Sequence, residues 1–114
     1  MLDIQVEFRK GILFIRLSGI LNKTTVPKLN EEVTDMIKDN GIRNVVFNMS
    51  EVTNIDIKGI NALFFNYELC NQNKGKILLC GINSLVREKI INSRLLKYMG
   101  EIQDELSALE CIGI

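Results

Sequence analysis

Asp56 and Lys58, separated by one residue, are the nearest approach in this chain to a paired acid and base, and proton transfer is the chemistry such a pair would perform. A carboxylate at this place has a simpler occupation. Val45, Val46 and Phe47 precede it as a strand-like run, and Ile60, Leu63, Phe64 and Tyr67 follow at helical spacing. Asp56 therefore stands where a helix cap belongs, accepting the backbone N–H of Lys58 or Gly59, and Lys58 is a solvated side chain. The free amides and positive end of such a helix start suit anions or partner proteins. The stretch 52–61 is read as the working surface on that ground.

Other reactive groups are sparse. The sequence has no histidine, which removes His-based triads, His–metal sites and the usual proton shuttle at neutral pH. Cys70, Cys80 and Cys111 are odd in number, widely spaced and each set among apolar neighbours, so they read as small buried hydrophobes and not as a zinc site or a disulfide framework. Gly59 stands alone in its loop, without the glycine spacing of a phosphate or dinucleotide cradle. Asp3, Asp35, Asp39, Asp56 and Asp104 are scattered, which argues against a metal site. The expectation is a protein that is not an enzyme and uses neither metal nor cofactor.

The elements that position 52–61 follow from pattern. Ile4, Val6 and Phe8 alternate with Gln5, Glu7 and Arg9, which predicts a half-buried strand; Lys10-Gly11 is a tight turn into a second, antiparallel strand over Ile12 to Leu17 that Gly19 ends. Asn22, Lys23, Thr24 and Thr25 offer helix-capping side chains ahead of Pro27. The helix that follows carries Val26, Leu29, Val33, Met36 and Ile37 on one stripe and stops at Asn40-Gly41. A third strand spans Asn44 to Met49, the capped helix runs to about Asn73, and Lys76 to Cys80 is a fourth strand. Asn83 or Ser84 caps a helix with Val86, Ile90, Ile91 and Leu95 inward; Tyr98 to Ile102 is a weak fifth strand. Asp104 caps a last short helix carrying Leu106, Leu109 and Cys111 inward, with Ile112 and Ile114 docking on the core. This order predicts one α/β domain over 1–114, a mixed sheet of four to five strands with about four helices, parallel at the centre and antiparallel at one edge. Ligand surfaces in such sheets gather at the carboxyl ends of the strands, where 52–61 lies.

The whole chain narrows the partners. Its 114 residues are 46% apolar, enough for one core, and fourteen basic residues balance fourteen acidic ones, leaving no global field for nucleic acid or an anionic membrane. The first residues alternate apolar and charged, unlike a signal peptide, and no apolar run approaches membrane-spanning length. A reducing, cytoplasmic setting without membrane insertion is expected.

The segment Asn48 to Leu63 resembles the signature of the STAS domains, the anti-sigma factor antagonists and their relatives, whose form is roughly Asp-Leu-Ser-x-Val-x-x-Ile-Asp-Ser-Ser-Gly-Leu-x-x-Leu. Ser50, Val52, Ile55, Asp56, Gly59 and Leu63 match it, and Ile60 is a close substitute. Ile15 to Gly19 and Lys76 to Asn83 resemble the family's second and fourth strands. The resemblance implies the STAS fold and a protein-docking turn made of Asn22, Lys23, Thr24 and Thr25 with Asp56, Ile57, Lys58, Gly59 and Ile60. It also implies that Ile57 occupies the position at which switchable members carry a serine or threonine phosphorylated by an anti-sigma factor kinase. Isoleucine has no hydroxyl, so that site cannot be modified here. Lys58 replaces a frequent second serine, and Asn48 an aspartate. Ser50 and Thr53 are neighbouring hydroxyls, read as ordinary turn residues. Two roles follow from the resemblance. One is a regulatory module docking a kinase-type anti-sigma factor or another signalling partner, without the phosphate switch. The other is a structural subunit of a larger, stressosome-like or transporter-associated assembly, which would bring homo-oligomers.

Overall fold

The structure, a computed structural model, describes residues 1–112; Ile114, expected to dock on the core, lies outside them. Lys10 and Gly11 take positive φ values of 50° and 80°, the conformation of a two-residue turn whose twist suits a β-hairpin, and they join β1 (Leu2–Arg9) to β2 (Ile12–Leu21). After β2 the chain forms one continuous helical stretch over 26–40: α1 (Val26–Leu29), a π-helical turn (Asn30–Thr34) and α2 (Asp35–Asn40). Then come β3 (Asn44–Ile55), α3 (Ile57–Gln72), β4 (Lys76–Cys80), α4 (Arg87–Ser93), a single 3₁₀ turn (Leu95–Lys97), β5 (Gly100–Ile102) and α5 (Glu105–Cys111). The sheet has strand order β1-β2-β3-β4-β5, antiparallel between β1 and β2 and parallel elsewhere. Five strands and four helical units make the mixed α/β domain that the sequence predicts.

The two faces of the sheet are covered unequally. One carries Leu13, Ile15, Leu17, Val45, Phe47, Ile77 and Leu79 against the 26–40 helix, α3 and α4, and this is the main core. The other buries Ile12, Phe14, Val46 and Cys80 beneath Ala108 of α5. Val46 and Phe47 thus face opposite ways and are both buried, which is why β3 lacks polar alternation.

Several boundaries and orientations differ from the sequence expectation. Gly19 does not end β2; with φ 111° it sits beside a register shift and the strand continues to Leu21. Likewise β3 runs six residues past Met49. Arg16 pairs with Asn48 and Ser18 with Glu51, then Gly19 with Val52 and Ile20 with Asn54, so β3 twice carries an extra residue. Each bulge throws the next apolar side chain out of alternation, and buried Met49, Val52 and Ile55 fall three apart. Ser50 and Thr53 are therefore strand residues, not turn residues, and Thr53 Oγ1 donates to the Gly19 carbonyl at 3.2 Å. Val6 and Phe8 point to the core side but lie at the sheet edge beyond the helices, 42% and 59% exposed. Ile91 and Leu106 face outward, since each helix is only two turns long and buries a narrow stripe, Ile90 and Ala108 respectively. Cys111 is exposed at the end of α5, whereas Cys70 and Cys80 are buried as expected. Burial in apolar surroundings pushes the Cys70 thiol up to about 12 and the Cys80 thiol up to about 11, values of inert packing groups.

Candidate functional site

The carboxyl ends of β2 and β3 pair as far as Leu21 and Ile55, seven residues beyond the last β3–β4 pair at Asn48, so the two strands project past β4 and deliver two turns side by side. Asn22 organises the first. Its side-chain oxygen accepts the N–H of Thr24 at 2.9 Å and of Thr25 at 3.1 Å, and the Thr25 hydroxyl accepts the Asn22 N–H at 2.9 Å and donates to the Ile20 carbonyl at 2.8 Å. Thr25 is buried by these contacts, while Lys23 and Thr24 are exposed. The expected capping residues form an Asx turn ahead of the helix, with the Asn22 carbonyl receiving the Val26 amide at 2.8 Å.

Asp56 organises the second turn and ties it to the first. One carboxylate oxygen accepts the Gly59 amide at 2.9 Å as an N-cap, and the other accepts the Lys23 amide at 3.1 Å. Burial pushes the Asp56 carboxyl up, and the amides of Gly59, Lys23 and Lys58 outweigh it, holding it below its ordinary value. The carboxylate is spent on backbone donors and is not poised as a general base. Gly59 lets α3 start against β2: a Cβ there would collide with the Leu21 carbonyl oxygen. The resulting helix start presents Ile57, 71% exposed, at its first position.

Two grooves flank Ile57. One runs between α1 and α3, lined by Lys23, Val26, Pro27, Lys58, Asn61 and Phe65; the other, between α3 and α4, is lined by Asp56, Ile57, Ile60, Lys89, Asn92 and Ser93. Lys89 is held there by Asn54, whose side-chain oxygen accepts from Nζ at 2.9 Å. The surface has an apolar ridge of Ile57 and half-exposed Phe65, eight residues apart on one side of α3, with lysines 23, 58 and 89 around it. The structure brings all nine residues singled out in the sequence to this corner. Phe65, Pro27 and Lys89 join them without having been singled out; the i, i+4, i+8 spacing of Ile57, Asn61 and Phe65 was the signal available for the first, and none existed for Lys89, which arrives from α4 across the fold.

A second polar cluster lies on the other sheet face. Arg16 donates to both oxygens of Glu105 at 2.8 Å and to Glu7 at 2.7 Å, and Asn48 donates to Glu105 at 2.9 Å. Those hydrogen bonds hold the Glu105 carboxyl below its usual range against partial burial and raise Arg16. The cluster pins α5 to the sheet. Among the described residues no group of three or more cysteine, aspartate or glutamate side chains is placed to hold a metal ion, and no helix is long and apolar enough to cross a membrane.

Comparison with known proteins agrees with this geometry. The STAS domain family matches residues 3–109. An anti-sigma F factor antagonist of Paenibacillus polymyxa is 28% identical over 108 residues, covering 95% of this chain and 92% of that protein. An anti-sigma-B factor antagonist of Staphylococcus aureus is 26% identical over 85 residues, covering 75% and 78%. An anti-sigma factor antagonist from Mycobacterium paratuberculosis superposes with a TM-score of 0.87 at 20% identity, covering 98% of this chain and 94% of that one. The Bacillus cell fate determinant SpoIIAA in its phosphorylated form gives 0.76 at 18% identity, covering 97% and 100%. With residues 3–109 of its 114 matched by the family, this chain belongs to the STAS domain family.

Proposed function

We propose that this chain is a regulatory docking module of the anti-sigma factor antagonist kind, which binds a kinase-type anti-sigma factor through the paired turns 22–25 and 56–60 and is not switched by phosphate at the family position. The observation that carries the reading is Ile57: a large apolar side chain held open to solvent by a rigid cap, between two grooves and ringed by lysines. Exposing isoleucine at the first position of a helix gains nothing for the fold, and such a centre with a charged rim has the make-up of a protein interface. The basic rim fits a partner surface with acidic groups around an apolar pocket. Similarity to antagonists along nearly the whole chain supports the same reading.

In a phosphorylatable relative, a phosphate at this point would add close to two negative charges at a helix N-terminus and change both the rim and the ridge. Ile57 has no oxygen to modify, so docking is constitutive. The test is incubation of the full chain with a kinase-type anti-sigma factor and ATP, followed by peptide mass spectrometry. Stable complex formation with peptide 50–61 unmodified is the expected result. Phosphate on Ser50 or Thr53 that releases the partner would overturn the constitutive reading.

A further inference from the structure

We propose that the free edge of β1 is a self-pairing surface, on which a second copy of this chain seats its own β1 antiparallel about a twofold axis at Val6. The backbone dictates which groups are available. The two-residue turn makes Arg9 and Ile12 a hydrogen-bonded pair, so the odd-numbered residues of β1 exchange bonds with β2. The far end keeps the same parity, with the Ile20 amide donating to the Met1 carbonyl at 2.9 Å. Even-numbered Leu2, Ile4, Val6 and Phe8 therefore aim their N–H and C=O groups away from the sheet. Lys28 Nζ takes the Leu2 carbonyl at 2.7 Å, which leaves Ile4, Val6 and Phe8 as the open row. The side chains of these three stand on the core face, opposite Leu17, Ile15 and Leu13, yet Val6 and Phe8 remain substantially exposed. Unpaired backbone combined with an apolar stripe is the composition of a strand-docking edge.

Charge chooses the occupant and the register. Antiparallel self-pairing through the outward, even-numbered groups admits axes at Ile4, Gln5, Val6 or Glu7. An axis at Gln5 sets Asp3 against Glu7, and one at Glu7 sets that carboxylate against its own copy; both are repulsive. An axis at Ile4 pairs Val6 with Leu2, whose carbonyl is occupied, and strands Phe8. An axis at Val6 opposes Asp3 to Arg9, Gln5 to Glu7, Ile4 to Phe8 and Val6 to Val6. It matches opposite charges on one face and covers the apolar stripe on the other. Arg9 is free to make the exchange, being only loosely placed 3.7 Å from Glu7, whose carboxylate is already held by Arg16. The shared edge uses no residue of the paired turns, so the dimer is a bivalent docking module.

The test is sedimentation equilibrium of the full chain over a range of concentrations, with amide hydrogen exchange on the same samples. A reversible dimer is expected, with the amides of Ile4, Val6 and Phe8 slowed as concentration rises. Val6→Lys brings two ammonium groups to the axis and is expected to raise the dissociation constant at least about tenfold; Asp3→Arg and Arg9→Asp each weaken the dimer, and their combination restores it to within about threefold. A chain that stays monomeric and leaves the edge to another protein's strand overturns the proposal. So does a dimer in which those three amides exchange freely, or in which the double variant is no better than the singles.

Discussion

One oxygen of Asp56 holds the amide of Gly59 and the other that of Lys23, so a single carboxylate fixes the start of α3 and the turn after β2 together. Asp56→Ala removes a helix cap and a tertiary clip, and we expect a loss of about 1–2 kcal/mol in urea unfolding, with Asp56→Asn, which keeps an acceptor, losing less than half as much. The cap was legible because a capping residue three positions ahead of a glycine and followed by an apolar helical stripe has few other readings. The clip to Lys23 was not, since nothing in local spacing connects residues 33 apart in the chain. Burial of single side chains was legible only where an element had a neighbour on that side. Val6 and Phe8 are apolar and correctly phased but stand at the sheet edge with nothing packed over them, whereas Ile91 and Leu106 lie on the outward side of two-turn helices that bury only Ile90 and Ala108.

The helical stretch over 26–40 keeps a continuous buried stripe of Leu29, Val33 and Ile37 by inserting a π-helical turn, and the same turn swings Thr34 inward against α3. There Thr34 Oγ1 donates to Asn66 Oδ1 at 2.9 Å, and Asn66 Nδ2 donates to the Ala62 carbonyl at 2.8 Å, both side chains being buried. Thr34→Val leaves the Asn66 oxygen without its donor in a dry contact, with an expected cost of about 1–3 kcal/mol by denaturant titration. Pairing it with Asn66→Leu should cost less than the sum of the two single changes, because no buried polar atom is then left unmatched. Asn66 is one of three asparagines in α3, and nothing in sequence singles it out as the one that will meet a threonine. The β3 bulges were hidden for a related reason. Alternation is a local signal, and the extra residues near Ser50 and at Thr53 exist to fit β3 to β2, so the strand seemed to stop at Met49 where its period changed. Element order and type survived these local errors, because they rest on whole-segment periodicity and turn chemistry.

At the scale of the molecule, three carboxyl groups among the described residues are held below their ordinary values: Asp56 by the amides that overcome its burial, Asp104 by the amide and hydroxyl of Ser107, and Glu105 chiefly by Arg16. A depressed carboxyl contributes stability that is present above its unfolded value and lost as pH falls through its folded one. The Cys70 and Cys80 thiols, raised to about 12 and about 11, contribute stability that is present below the unfolded thiol value of 9.0 and lost as pH rises beyond it. With no histidine to titrate between them, thermal midpoints should form a plateau from about pH 5.5 to about pH 8 and decline on both sides, and Glu105→Gln should shallow the acid limb. The global arrangement also explains the site: strands β2 and β3 outrun β4 and carry the paired turns to one corner, where Ile57 is the foremost apolar group. That corner is the centre of the functional account, and Ile57→Asp tests it most directly by placing a negative charge where the proposed partner meets an apolar ridge. The measurement is a pull-down from the source cell with the full chain and with its Ile57→Asp variant, both shown by circular dichroism to be folded, and with bound proteins identified by mass spectrometry. The account predicts that the unaltered chain retains an ATP-binding anti-sigma factor and that the variant retains at least about tenfold less of it. Equal recovery of that protein by both, or its absence from both, would contradict the account.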